Sequence, residues 1–289
     1  MLARSSRGMS DAAANAGQID YWNDTAGQTW ARLQAALDIQ IEPLDRAVIA
    51  ALAPAPGEHV IDVGCGCGES TLALADAVGP SGLALGVDIS EPMLAVARER
   101  AGGRAQVRFQ NADAQVHAFG QGRFDMIHSR FGVMFFEDPT AAFANLRRAL
   151  RPGGRLAFLC WRTPAENPVM TAPMAAAQPF LPPPEPPTPG APGPFAFADP
   201  ERVRAILSGA GFADIAIAPQ DMPAGGNTRE ETLELSLRVG PLGRMLRENP
   251  QVDREAAVAD VRAAIAAHAR PDGRVFMDSA CWIVTARAP

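Results

Sequence analysis

Residues Val60 to Ala75, VIDVGCGCGESTLALA, constrain the fold of this chain more than any other stretch. A short apolar run carrying the acid Asp62 leads into three alternate glycines, Gly64, Gly66 and Gly68. An amphipathic segment opening with Glu69, Ser70 and Thr71 follows. The order reads as strand, ligand-gripping turn and helix, because glycine lets the backbone bend sharply and approach a ligand with no Cβ in the way. The spacing is G-x-G-x-G. A dinucleotide fingerprint needs its third glycine at position 69, where the chain has Glu69, so an NAD-linked oxidoreductase is disfavoured.

The next apolar run, Leu83 to Ser90, is closed by Asp88, about twenty residues downstream, where a ribose-binding acid belongs. A carboxylate there can accept from both ribose hydroxyls, at roughly 1.5 to 3 kcal/mol per charge-assisted bond. A third strand, Gln106 to Ala114, brings Asp113 to the same carboxyl edge, placed for an adenine amino group. A fourth, Phe124 to Ser129, runs into RFGVMFFEDP. The helix AAFANLRRAL, the turn RPGG and a fifth strand, Arg155 to Trp161, come next.

With DVGCGCG, GVDIS, NADA, FDMIHSRFGVMFF and LRPGG in that order, the chain resembles the class I S-adenosylmethionine-dependent methyltransferases over roughly Tyr21 to Arg162. Within them it is similar to the ubiquinone and menaquinone biosynthesis group. The resemblance implies an α/β fold with a doubly wound, mostly parallel seven-stranded sheet, order 3-2-1-4-5-7-6, the last strand antiparallel. It further implies that Gly64, Cys65, Gly66 and Cys67 wrap the methionine part of the cofactor, that Asp88 holds the ribose, and that Asp113 and Ala114 flank adenine. Trp30, Asp62, Ile89 and Met93 join that cofactor set, and Arg130 lines the cofactor and acceptor side. The implied product is S-adenosylhomocysteine.

Composition narrows the alternatives. A 289-residue chain with 47% hydrophobic content can bury a large core, and it holds no run of the ~20 apolar residues a membrane span needs. A net charge of −6 offers no cationic footprint for nucleic acid. All 26 basic residues are arginine, which excludes a lysine Schiff base and a P-loop lysine. Cys65 and Cys67 sit in the glycine turn, and Cys160 and Cys281 in expected buried strands. That is no secreted disulfide framework, so a cytoplasmic protein is expected. No cysteine or histidine cluster accompanies the C-x-C pair, so small-residue filling of the turn is the reading and no metal is expected.

The expected organisation is a disordered N-terminus over 1–18, two capping helices within 19–56, and a Rossmann-like core over 57–162. A Pro-rich lid or connector over 163–198 and a C-terminal part over 199–289 complete it. Proline is dense enough from 163 to 194 that neither helix nor central strand is expected there. Residues 228–270 read as a helical insertion between strands six and seven, fit to cap an acceptor pocket, to mediate a homodimer or to pack on one face. Trp30, Leu33, Leu37 and Ile41 share one helical face. Tyr21, Trp22 and Trp30 either close over cofactor and acceptor or form the stripe that packs this region onto the core.

Methyl transfer from a sulfonium releases a neutral thioether, so no general acid is needed, and in-line alignment can supply ~7 to 11 kcal/mol. Phe131, Phe135 and Phe136, with Met134, are candidates for an apolar wall. A general base matters only for an acceptor that must lose a proton. His128, two residues before Arg130 and on the same strand face, and His117, in the loop after Asp113, are the candidates, each with a structural alternative. His59 and His268 have no assigned role. After FDMIHS come Arg130 and Phe131, not the Asn/Asp-Pro-Pro-aromatic run of nucleic-acid amine methylation, and a small organic acceptor is the class that remains. A noncatalytic S-adenosylmethionine-binding module is the rival reading.

Overall fold

The computed structural model describes residues 14–183, 188 and 190–289. The described residues open with three helices, α1 (Ala16–Asn23), α2 (Thr25–Arg32) and α3 (Gln34–Leu52). Alternation follows: β1 (His59–Val63), α4 (Glu69–Val78), β2 (Leu83–Asp88), α5 (Glu91–Ala101), β3 (Val107–Asn111), β4 (Phe124–Arg130), α6 (Pro139–Ala149) and β5 (Leu150–Trp161). Then come α7 (Pro168–Ala177), α8 (Pro200–Gly209), β6 (Ala213–Thr228), α9 (Arg229–Arg238), α10 (Gly240–Glu248), α11 (Arg254–Ala266) and β7 (Arg274–Arg287).

The seven strands form one sheet in the order β3-β2-β1-β4-β5-β7-β6, with β7 antiparallel to both its neighbours. This is the order and polarity expected. Four of the five residues of β1, and all but the last of β4, are buried, as strands covered on both faces must be. β6 carries Pro219 and Pro223, which a sheet tolerates because β6 is an edge strand. α6 starts where Asp138 accepts a hydrogen bond from the Ala141 amide at 2.9 Å and Pro139 takes the first turn. No helix among the described residues is long and apolar enough to cross a membrane.

Three expectations are corrected. The capping region holds three helices instead of two, because the chain breaks at both Asp24 and Leu33, and the stripe from Trp30 to Ile41 runs across the second break. Residues 14–18 are not disordered: Asn15 is buried and α1 begins at Ala16, while residues 1–13 lie outside the described residues. Segment 163–194 does contain a helix, α7. Its Pro168 stands in the first turn, where no amide donor is needed, and only Pro173 sits inside.

α7 also joins two segments that the sequence kept apart. Ala177 and Leu181 pack with Leu233, Leu242, Leu246, Ala257, Val261 and Ile265 of α9 to α11, and with Val275 and Met277 of β7, as a second apolar core.

Candidate active site

The carboxyl ends of β1 to β4 open into a cavity of about 270 Å³, roofed by α1, α7, α9 and α10. Its floor is the glycine turn. Gly64, Gly66 and Gly68 take φ of 68°, 53° and 85°, and two of them leave no room for a side chain. A Cβ on Gly64 would stand 2.7 Å from Gly132 Cα, and one on Gly68 would stand 2.8 Å from the Phe109 ring. A Cβ on Gly66 would meet only Met93 Sδ, at 3.8 Å, so it would take up cavity space instead.

Asp62 does not line the cavity. One of its carboxylate oxygens accepts from Ser70 Oγ and Thr71 Oγ1, both at 2.6 Å, which ties the start of α4 to β1 and sets the turn between them. Cys65 and Cys67 also lie off the cavity. Burial first, then the charge of Asp88, holds the Cys65 thiol well above its usual range. Burial likewise pushes Cys67 up to about 12, so neither is a thiolate at neutral pH. The Cys67 carbonyl accepts from Arg100 Nη1 at 2.9 Å, and Arg100 pairs with Asp38 at 3.1 Å and with Glu69, bracing the turn against α3 and α4.

Asp88, Ile89, Met93, Asp113 and Ala114 line one side of the cavity, with Trp22 and Trp30. Asp88 accepts from the Gly66 and Ser90 amides, both at 2.8 Å. Burial raises its pKa to about 6, against the pull of those amides. A four-site carboxylate so engaged can still take further hydrogen bonds from a ligand. Tyr21 is off the cavity and meets Trp22 edge-on at 5.1 Å.

The other side is apolar. Phe131, Met134, Phe135 and Phe136 line it with Trp161, Val169 and Met170. Phe131 holds φ of 63°, costly for an aromatic residue, and stacks on Trp161 at 4.1 Å with planes 6° apart. Trp22 joins the two sides, edge-on to Phe135 and to Trp30, both at 5.6 Å.

Strand alternation gives a residue's face but not its depth. Arg130 lines the cavity, whereas His128, two residues deeper, is fully buried beneath it and is not placed to act as a base. The parallel register sets His128 beside Asp62, and its Nδ1 lies 2.8 Å from Asp62 Oδ1. Nε2 lies 3.2 Å from Asp45 Oδ1 on α3, off the hydrogen-bond line. Burial alone would lower its pKa, but the charges of Asp45 and Asp62 outweigh it and raise it to about 9, so the imidazole is a cation at neutral pH. Asp45 in turn is held below the usual carboxylate range despite its burial, by His128 and Arg130. The Arg130 guanidinium is 3.7 Å from Asp45 and 4.0 Å from Asp38. His117 lies outside the cavity, 2.9 Å from Gln110 Nε2 and edge-on to Phe119.

Sequence reasoning missed Asn15, Asp38, Asp45, Gly132 and Trp161. Gly132 was the most legible, since a glycine just after a strand marks a close backbone approach; a Cβ there would stand 2.6 Å from the Val63 carbonyl oxygen.

Residues 60–154 match the family model of a methyltransferase domain. The chain is 36% identical over 141 residues to an O-methyltransferase of Penicillium expansum, covering 48% of each protein. It is 37% identical over 103 residues to the demethylmenaquinone methyltransferase of Staphylococcus aureus, covering 36% of this chain and 43% of that one. The aligned region thus spans about half or less of these curated relatives. Among solved structures, phosphoethanolamine N-methyltransferase 2 of Haemonchus contortus, complexed with S-adenosylhomocysteine, superposes with a TM-score of 0.54 at 19% identity. The superposition covers 86% of this chain and 52% of that one, and at this identity it speaks for the fold alone. With sheet order and matched region in agreement, residues 60–154 form a methyltransferase domain.

Proposed function

We propose that the protein transfers the methyl group of S-adenosylmethionine to a hydroxyl oxygen of a small, largely apolar ring compound. The observation that carries this reading is the single cavity joining the glycine turn, Asp88 and Asp113 on one side to the aromatic wall on the other. The residues fit the cofactor: Gly66 keeps its Cβ space clear, and two carboxylates face the side where ribose and adenine would lie. Bound there, the cofactor supplies a sulfonium methyl as electrophile and leaves as a neutral thioether. Oxygen as the acceptor atom follows the similarity to the O-methyltransferase.

In this reading the backbone of Gly64 and Gly66 holds the amino-acid portion, Asp88 accepts from the ribose hydroxyls and Asp113 accepts from the adenine amino group. Phe131, stacked on Trp161, and Phe135 present flat apolar surface to the acceptor and exclude water. Among the described residues no histidine, cysteine or glutamate lines the cavity, and its only carboxylates are Asp88 and Asp113 on the adenosine side. No base therefore faces the acceptor, which is a phenol or enol acidic enough to arrive ionised. Arg130 at the junction of the two sides favours that anion.

The test is to denature the purified protein, identify released small molecules by mass spectrometry, and titrate S-adenosylmethionine, S-adenosylhomocysteine and NAD by calorimetry. Micromolar binding of the adenosyl compounds supports the cofactor reading, and NAD binding alone overturns it. Methyl incorporation from labelled cofactor into a panel of phenols and enols should rise with the ionised fraction of each acceptor. Binding of the cofactor without transfer to any acceptor would make the protein a noncatalytic binder.

A further inference from the structure

α1 crosses the cavity from the end of β3 to the turn between β2 and α5, pinned at each end by an asparagine. At its start Asn15 is 4% exposed, and its Nδ2 donates to both Asp113 oxygens at 2.9 Å and to Gln115 Oε1 at 3.2 Å. Its Oδ1 accepts from the Glu137 amide at 2.7 Å, and its own amide donates to Glu137 Oε2 at 3.0 Å. At the far end Asn23 Nδ2 donates to the Ile89 carbonyl at 2.8 Å, and its Oδ1 accepts from the Glu91 amide at 3.0 Å. Ser90 Oγ adds a bond to the Trp22 carbonyl at 2.7 Å. Between the pins, Gln18 and Trp22 line the cavity.

No residue of α1 itself is fully buried. The helix is held by side-chain hydrogen bonds at its ends and by ring-edge contacts of Trp22, not by a hydrophobic core, and elements of that kind open at low cost. Asp113, the main anchor of the first pin, is also the acid proposed for adenine. A carboxylate has about four acceptor sites, so Asp113 can keep Asn15 and still take an adenine amino group.

We propose that Asn15 is a positioning residue that closes α1 as a strap over the adenosine and orients Asp113 to receive the base, with Asn23 as the second pin. This rests on the adenosyl-cofactor reading above. Cofactor enters and leaves when the pins release, so the strap sets the rates of both steps.

Asn15 stands at φ 56°, which asparagine tolerates and alanine does not. Asn15→Gly therefore removes the pin without adding backbone strain. Asn15→Asp keeps the size but sets a carboxylate against Asp113 and Glu137. The experiment measures S-adenosylhomocysteine association and dissociation by stopped-flow tryptophan fluorescence, with hydrogen exchange at amides 16–23 in the ligand-free protein. Both variants are expected to raise association and dissociation rates together by about tenfold or more, and to exchange faster at 16–23 while β1 and β4 stay protected. A rise in dissociation alone, or unchanged exchange at 16–23, overturns the strap. Wild-type protein that binds no S-adenosylhomocysteine overturns the adenosyl reading instead, and the exchange experiment still decides whether Asn15 pins α1.

Discussion

Replacing His128 by glutamine tests the electrostatic core beneath the site. The imidazole is fully buried between Asp62 and Asp45, with its pKa raised from 6.5 to about 9. A group whose folded pKa exceeds its unfolded one stabilises the protein fully below the unfolded value and loses that contribution as pH rises through the folded value. The window is therefore pH 6.5 to 9, and at about 1.4 kcal/mol per pH unit the loss across it is about 3 kcal/mol. His128→Gln removes the cation, leaving Asp45 with only Arg130, at 3.7 Å, as a charge partner. The cost at neutral pH should be roughly 3 to 5 kcal/mol, as for other broken buried pairs. The assay is urea unfolding at pH 6, 7 and 8. Higher pH is avoided because unfolded thiols ionise there while burial keeps Cys65, Cys160 and Cys281 protonated. Wild-type stability should fall across the series, and the variant should lack most of that slope. Equal slopes in the two proteins would show that His128 is not a buried cation, and the reasoning would fail.

Asp88→Ala should weaken S-adenosylhomocysteine binding at least tenfold by calorimetry, the loss of one charged hydrogen bond of about 1.5 kcal/mol. Because burial raises the Asp88 pKa to about 6 and the carboxylate is the form that accepts from ribose, wild-type affinity should rise as pH increases through 6 and level off above it. Asp88→Asn should flatten that profile. Gly64→Ala, at φ 68° and with its Cβ 2.7 Å from Gly132 Cα, should lower the unfolding midpoint and abolish cofactor binding; unchanged binding would mean that the two turns part freely. Phe131→Ala should raise the acceptor KM severalfold and leave S-adenosylhomocysteine affinity within about twofold, because its ring faces the aromatic side and stacks on Trp161. A loss confined to cofactor affinity would move Phe131 to the other half of the site.

Patterns that local chemistry enforces were legible in the chain: the apolar runs of β1, β2, β4 and β5, the G-x-G-x-G turn between β1 and α4, and Asp88 and Asp113 at successive strand ends. Strand order came from the resemblance that those motifs carry, and the sheet has that order. These features survive reading in one dimension because strand period, glycine conformation and residue order are properties of short segments. What the tertiary structure decided is where distant segments meet. Asp45 faces His128 from 83 residues away in sequence and turns a candidate base into a buried cation. Asn15 reaches Asp113 across 98 residues, out of a stretch whose small polar composition read as disorder. α7 and the insertion helices, separated by proline-rich chain, share one apolar core that roofs the cavity. Composition and periodicity report how a segment behaves alone, whereas a buried charge or a polar pin takes its meaning from partners that only the folded chain brings within 3 to 4 Å.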